Sequence, residues 1–338
     1  MGMSDTTHHL DWILENGYSQ GILLGFVVNS GCNMKEVAGR HCAHCAITQR
    51  NERNLPVRLS GEDFVKALRD VATRNGMYDH GNLLGFSVCG DETLNDDEVF
   101  YQRSLPLLQE AQNLGTRRSL VTNGFNLSKY MHELAQTDCF ITVRLDGVGA
   151  DNDRTRGGYD RVIENLEQAA PVLGEKLSIG SVLYPGREQQ LEPLLEILVR
   201  YNITRWMITP LIDFGRQRCT KLTAENKQFL DRLGKAATRH GIQVLLEYHV
   251  DESLWLDYVT TVIKPRHVHV VRLTFNGTVN AADSIFVPKD VQERLWNPQN
   301  CFMQFCSQEI LLHRDMSGCM PGSVFTPAKQ PFLVPSLQ

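Results

Sequence analysis

Ile22-Leu-Leu-Gly-Phe-Val-Val-Asn-Ser-Gly-Cys32-Asn-Met-Lys-Glu-Val-Ala-Gly-Arg-His-Cys42-Ala-His-Cys45 is the stretch on which the fold turns. Its opening run, Ile22 to Val28, is apolar apart from one glycine and reads as a buried strand. That is the longest apolar run in the chain, and it falls well short of the ~18 residues that span a membrane. Three thiols follow at once, spaced C-x9-C-x2-C. A loop carrying reactive side chains directly after a strand is where α/β sheets and barrels keep their chemistry, at the C-terminal ends of the strands.

Outward from this stretch the chain alternates strand and helix. Ser60 predicts an N-cap answered by Asp63, with Phe64, Leu68 and Val71 at helical spacing behind it. Further strands are expected at Leu83–Cys89, Ser119–Thr122, Cys139–Leu145, Leu177–Leu183 and Arg205–Leu211. Helices are expected at Glu98–Asn113, from Leu127, and at Tyr159–Ala170 and Leu222–His240. One more carries the stripe Leu191, Leu194, Leu195, Leu198 and Val199. About six β-α units in series imply parallel strands with right-handed crossovers, in an open doubly wound sheet or a complete or partial barrel. The rhythm breaks near residue 250. Val268–Phe275, Asn276-Gly277 and Thr278–Ala281 then read as a β-hairpin, followed by a loop-rich segment and a tail with several prolines.

The 338 residues carry 34 Lys+Arg against 39 Asp+Glu, a net charge of −5, which gives no broad electrostatic reason to seek nucleic acid. The start of the chain shows no basic segment leading into an apolar one, so no secretory signal is expected and the location expected is cytoplasmic. The nine cysteines are odd in number and clustered, a pattern of metal or redox chemistry rather than of a disulfide scaffold.

Several chemistries suit the first cluster. Cys32, Cys42, Cys45 and His41 or His44 make a tetrahedral zinc set. Cys42 and Cys45 make a dithiol with one thiol to spare. Buried structural thiols are common, but three within fourteen residues at the working end of a sheet speak against that reading. The favoured reading is a four-iron cluster on three thiolates, which leaves one iron open for a small-molecule cofactor.

Here the sequence resembles the radical S-adenosylmethionine (radical SAM) superfamily. The usual loop there is C-x3-C-x2-C with an aromatic before the last cysteine. In this chain the first gap is nine residues and His44 takes the aromatic position. Phe86-Ser-Val-Cys-Gly90-Asp91-Glu92-Thr93-Leu94-Asn95 resembles the Gly-Glu-Pro motif after strand two, with Asp91 for Glu and Glu92 for Pro. Val121-Thr122-Asn123-Gly124 matches Thr-Asn-Gly after strand three. Val143-Arg144-Leu145-Asp146-Gly147, followed by Arg156-Gly157-Gly158-Tyr159-Asp160, is similar to the Ser-Leu-Asp-Gly … Arg-Gly … Phe-Asp segment of the branch with SPASM or twitch domains; Arg144 takes the place of Ser. Pro210-Leu-Ile-Asp213-Phe-Gly215-Arg216 also resembles that branch. The likeness covers roughly residues 20–240.

The resemblance implies an α/β fold: a partial (β/α)6 barrel of radical SAM, TIM-like type over residues 20–248. It would have an N-terminal extension over 1–19 and a small β-hairpin and loop extension over 249–338. It implies a 4Fe–4S cluster on Cys32, Cys42 and Cys45, with SAM on the open iron. Gly90 and Asp91 would receive the methionyl ammonium, Arg156 the methionyl carboxylate, and Asn123, Arg144 and Asp146 would face the nucleoside. Asp213, Arg216, Glu247, Tyr248 and His249 are expected near the substrate opening. Cys301, Cys306 and Cys319, with Cys219, are candidates for an auxiliary iron–sulfur cluster, although Ala282 stands where related domains carry a cysteine. The expected partners are a small molecule or short peptide as substrate and an external one-electron reductant such as flavodoxin or ferredoxin. No membrane partner is expected. A radical SAM enzyme of RNA, disfavoured by the charge balance, and a zinc-binding interaction module are the alternatives.

Overall fold

The structure is a computed structural model. It describes residues 22–29, 31–45, 59–74, 83–89, 92–115, 118–213, 218–219 and 223–249, with four further strands between 261 and 311. Seven strands form its centre: β1 (Ile22–Val27), β2 (Leu83–Cys89), β3 (Arg118–Thr122), β4 (Phe140–Arg144), β5 (Leu177–Leu183), β6 (Arg205–Pro210) and β7 (Gln243–His249). They lie in sequence order, each parallel to the next. The pairs Val27↔Cys89, Thr122↔Val143, Arg144↔Gly180 and Leu183↔Pro210 bring every C-terminal end to one edge. Side chains separated by a hundred residues or more in sequence can therefore meet there.

Helices return the chain between strands: α1 (Met34–Ala38), α2 (Gly61–Arg74), α3 (Leu105–Asn113), α4 (Met131–Gln136), α5 (Ala150–Thr155), α6 (Tyr159–Leu173), α7 (Leu194–Arg200) and α8 (Ala224–Thr238). The cap expected at α2 is present. Ser60 N–H donates to Asp63 Oδ2 at 2.8 Å, and Asp63 N–H donates to Ser60 Oγ at 3.2 Å. Behind it Phe64 and Leu68 are fully buried, and Phe64 meets Phe26 of β1 edge-on at 6.0 Å. Burying side chains of this size contributes about 1.5–3 kcal/mol each. Gly61 allows α2 to lie close to the segment leading into α3, because a Cβ there would stand 1.6 Å from the Gln102 carbonyl oxygen.

The stripe from Leu191 to Val199 is not one helix. A 3₁₀ turn, Glu188–Leu191, ends before Pro193, and α7 restarts at Leu194. Leu191, Leu194 and Leu198 are nonetheless buried at helical spacing, Ile197 joins them, and Val199 is 49% exposed. Glu247, Tyr248 and His249 lie inside β7 rather than beyond a strand end.

The segment after residue 250 adds strands to both edges of the sheet. The expected hairpin is present: β9 (His269–Thr274) and β10 (Val279–Ala281) pair antiparallel, and β9 joins β1 in parallel. At the other edge β11 (Ser307–Leu311) runs antiparallel to β7 and carries β8 (Thr261–Val262). Among the described residues no helix is long and apolar enough to cross a membrane.

Candidate functional site

The nine residues between Cys32 and Cys42 are not slack. Met34–Ala38 forms α1, which closes on Gly39 in the left-handed conformation (φ +69°). The Arg40 guanidinium donates to the carbonyls of Asp153 at 3.1 Å and Arg154 at 2.7 Å, and the Ala43 N–H donates to the Thr155 carbonyl at 2.7 Å. The loop is thus fastened to the end of α5. Gly157 and Gly158 make this approach possible. Both have positive φ, and Cβ atoms on them would lie 2.9 Å from Ala38 Cβ and 2.5 Å from Phe125 Cζ.

None of the three thiols is in a disulfide, and all are partly buried. The Cys45 N–H donates to the Cys42 carbonyl at 3.1 Å, closing the turn between them. Each of two thiols has a side-chain N–H aimed at it. Asn123 Nδ2, just past β3, donates to Cys32 Sγ at 3.9 Å, and Arg156 Nη1 donates to Cys42 Sγ at 3.9 Å. Burial, opposed by the Arg156 charge, pushes the Cys42 thiol up to about 11. Binding a metal there displaces a proton. Among the described residues no three His, Cys, Asp or Glu side chains converge as the ligands of a single ion. Thiolates on one zinc sit about 2.3 Å from a common centre, whereas those of an iron–sulfur cube each hold a different iron. Three thiols on one loop are the donors such a cube takes when it keeps one iron open.

Asp146 is fully buried beyond β4. Its Oδ1 accepts from the Val182 N–H at 2.8 Å, and its Oδ2 lies 2.8 Å from Arg156 Nε. That second contact is an attraction of charges without an aligned N–H. His44 Nδ1 lies 3.8 Å from the same carboxylate and hydrogen-bonds the hydroxyl of Tyr184, which follows β5. Burial and the nearby Arg156 charge hold His44 down to about 3, so the imidazole is neutral and its contact with Asp146 is no ion pair. Arg144 ends β4 opposite Gly180, where a Cβ would come within 2.6 Å of Arg144 Nη1. A glycine on β5 thus makes room for the arginine that stands where the family pattern has serine.

The structure therefore gathers Cys32, Cys42, Asn123, Asp146 and Arg156 around one loop. Gly90, Asp91, Arg216, Cys301, Cys306 and Cys319 lie outside the described residues, as do the side chains of Asp213 and Cys219. Sequence reasoning gave no role to Tyr184, Arg40 or Glu92. Tyr184 reaches a residue 140 positions away, which no local pattern reveals.

Glu92 is the other unforeseen group. Its carboxylate is buried and accepts from the Thr122 hydroxyl, the Asn123 N–H and the Leu94 N–H. Burial outweighs those three donors and raises its pKa from 4.5 to about 7. Between these values the folded chain keeps a proton that the unfolded chain has released, so its stabilising effect is complete below 4.5 and fades as pH rises through 7. Urea unfolding of the metal-free chain is expected to show stability falling across that window, and Glu92→Gln is expected to flatten the fall. A wild-type profile that matches the variant's would contradict this placement.

No protein-family model matches the sequence, and no protein with a curated description matches it. The fold does find solved relatives. SuiB of Streptococcus suis bound to S-adenosylmethionine superposes with a TM-score of 0.61 at 15% identity, over 85% of this chain and 66% of that one. SuiB bound to the precursor peptide SuiA gives 0.57 at 18%, over 82% and 63%. The enzyme anSMEcpe, with bound AdoMet and the Cp18Cys peptide, gives 0.54 at 16%, over 84% and 79%. This chain spans just under two thirds of the length of SuiB. The fold is α/β on a parallel sheet, and the structures it superposes on are radical SAM enzymes of TIM-like barrel fold. Within that class the structures it resembles include two solved with peptides bound.

Proposed function

We propose that this protein is a radical SAM enzyme whose cluster is held by Cys32, Cys42 and Cys45. The observation that carries this is the three-thiol loop, seated at the C-terminal edge of β1 in this fold and met by donors from Asn123 and Arg156. When bound, a 4Fe–4S cluster supplies the electron that splits the sulfonium of SAM and releases a 5′-deoxyadenosyl radical to take hydrogen from substrate. The chain's own residues do the rest. Arg156 offers a guanidinium, fixed by Asp146, to the methionyl carboxylate. Gly90 and Asp91 offer acceptors to the ammonium, and Arg144 with Asn123 lines the nucleoside side. The neutral His44, fixed by Tyr184, fills the place before the last cysteine without adding charge.

The substrate we favour is a peptide, because SuiB and anSMEcpe were each solved with one bound. A flavodoxin or ferredoxin would supply the electron. Residues 20–248 would form the catalytic barrel and 249–338 its SPASM- or twitch-like extension, with Cys301, Cys306 and Cys319 available for a second cluster. Anaerobic purification tests both points. A brown protein that releases 5′-deoxyadenosine from SAM with dithionite is expected. About four irons per chain would mean one cluster and about eight would mean two. A colourless chain with stoichiometric zinc would overturn the assignment.

A further inference from the structure

Glu92 stands where the family's turn has proline, and none of the chemistry above uses it. Its surroundings nevertheless lead to the cysteine loop. Oε1 accepts from the Thr122 hydroxyl at 2.6 Å and the Leu94 N–H at 3.0 Å, and Oε2 accepts from the Asn123 N–H at 2.6 Å. The Thr122 hydroxyl also accepts from the Gly124 N–H at 3.0 Å. One carboxylate thus clamps both residues that precede Gly124. The Asn123 side chain then has a single orientation. Its Oδ1 accepts from the Phe125 N–H at 2.9 Å, which settles which end of the amide is nitrogen. Its two amide hydrogens go to Asn33 Oδ1 at 2.8 Å and Cys32 Sγ at 3.9 Å. An N–H aimed at a cluster thiolate draws off electron density and favours the reduced state.

We propose that Glu92 is a positioning residue for Cys32. By holding the Thr122–Asn123 peptide it aims the Asn123 amide at the Cys32 sulfur, and so raises the reduction potential of the cluster that sulfur holds. This rests on the cluster reading above. A proline offers no side-chain acceptor, so the exchange of proline for glutamate gives this chain a device that the usual motif lacks.

The test is a potentiometric titration, followed by EPR, of the SAM-free cluster in wild type, Asn123→Ala, Glu92→Asp and the double variant. Glu92→Asp keeps the charge but is one methylene too short to span its donors. Both single variants are expected to lower the midpoint potential, and the double variant is expected to fall no further than Asn123→Ala, since both act through one contact. A loaded Glu92→Asp at the wild-type potential, or a shift that adds fully to that of Asn123→Ala, overturns the inference and leaves the cluster reading intact. A wild-type chain that binds no iron removes the cluster reading, and the inference with it. Should Glu92→Asp fail to load, Glu92→Gln is compared instead at about pH 6, where the wild-type side chain is mostly protonated and the exchange removes little charge. The same lowering, absent on the Asn123→Ala background, is expected; an unchanged or raised potential overturns the inference.

Discussion

Cys42→Ala is expected to abolish reductive cleavage of SAM while the chain still folds. The thiol is one of three proposed cluster ligands, and the neutral His44 two residues on is engaged by Tyr184. Losing an outer partner of a metal ligand already costs about 10–100-fold, so losing the ligand should cost more than about 100-fold in 5′-deoxyadenosine formation. The fold should survive. The loop is fastened by Arg40 to the Asp153 and Arg154 carbonyls and by Ala43 to Thr155, and none of these contacts uses a thiol. Replacing a partly buried thiol by a methyl group should cost about 1–2 kcal/mol at most in the metal-free chain. Product formation by the variant near the wild-type rate contradicts the ligand assignment.

Arg156→Met is expected to be the most destabilising single substitution at the site. Asp146 has no solvent contact, and besides Arg156 its carboxylate meets the Val182 N–H and a neutral imidazole. Removing the guanidinium leaves a buried carboxylate without its counter-charge, at a cost of about 3–5 kcal/mol. Adding Asp146→Asn should recover most of that loss, because the amide oxygen still accepts from Val182 and the charge is gone. SAM binding should stay weak in both variants, since neither has the guanidinium proposed to hold the methionyl carboxylate. Urea unfolding of the metal-free chain and SAM binding to the loaded protein separate the two roles. A single variant of wild-type stability would refute the structural role, and a double variant of wild-type SAM affinity would refute the binding role.

How much of this was legible in the sequence depends on how local each signal is. Ser60 with Asp63 and the apolar Ile22–Val28 run carry their meaning within a few residues, and the elements they announce are present; the two β runs around Asn276-Gly277 also pair, while that turn lies outside the described residues. Of the stripe from Leu191 to Val199, Leu191, Leu194 and Leu198 are buried as expected, but the element breaks before Leu194 and the buried face centres nearer Ile197, which leaves Val199 exposed. The nine-residue gap read as a long loop, yet Met34–Ala38 coils inside it and Gly157 makes room for Ala38. At the site, the thiols, Asn123, Asp146 and Arg156 stood out because they sit in ordered motifs. Glu92 stood out only as a misfit, and Tyr184 not at all, because their partners come from other strands and only the shared edge of the sheet brings them together.

The central claim is tested most directly by electron–nuclear double resonance on the reduced protein, given SAM labelled with nitrogen-15 at its amino group. The account predicts a coupling between the label and the cluster in wild type, lost when Cys32, Cys42 or Cys45 is replaced. A reduced cluster that shows no coupling with SAM in excess would contradict it.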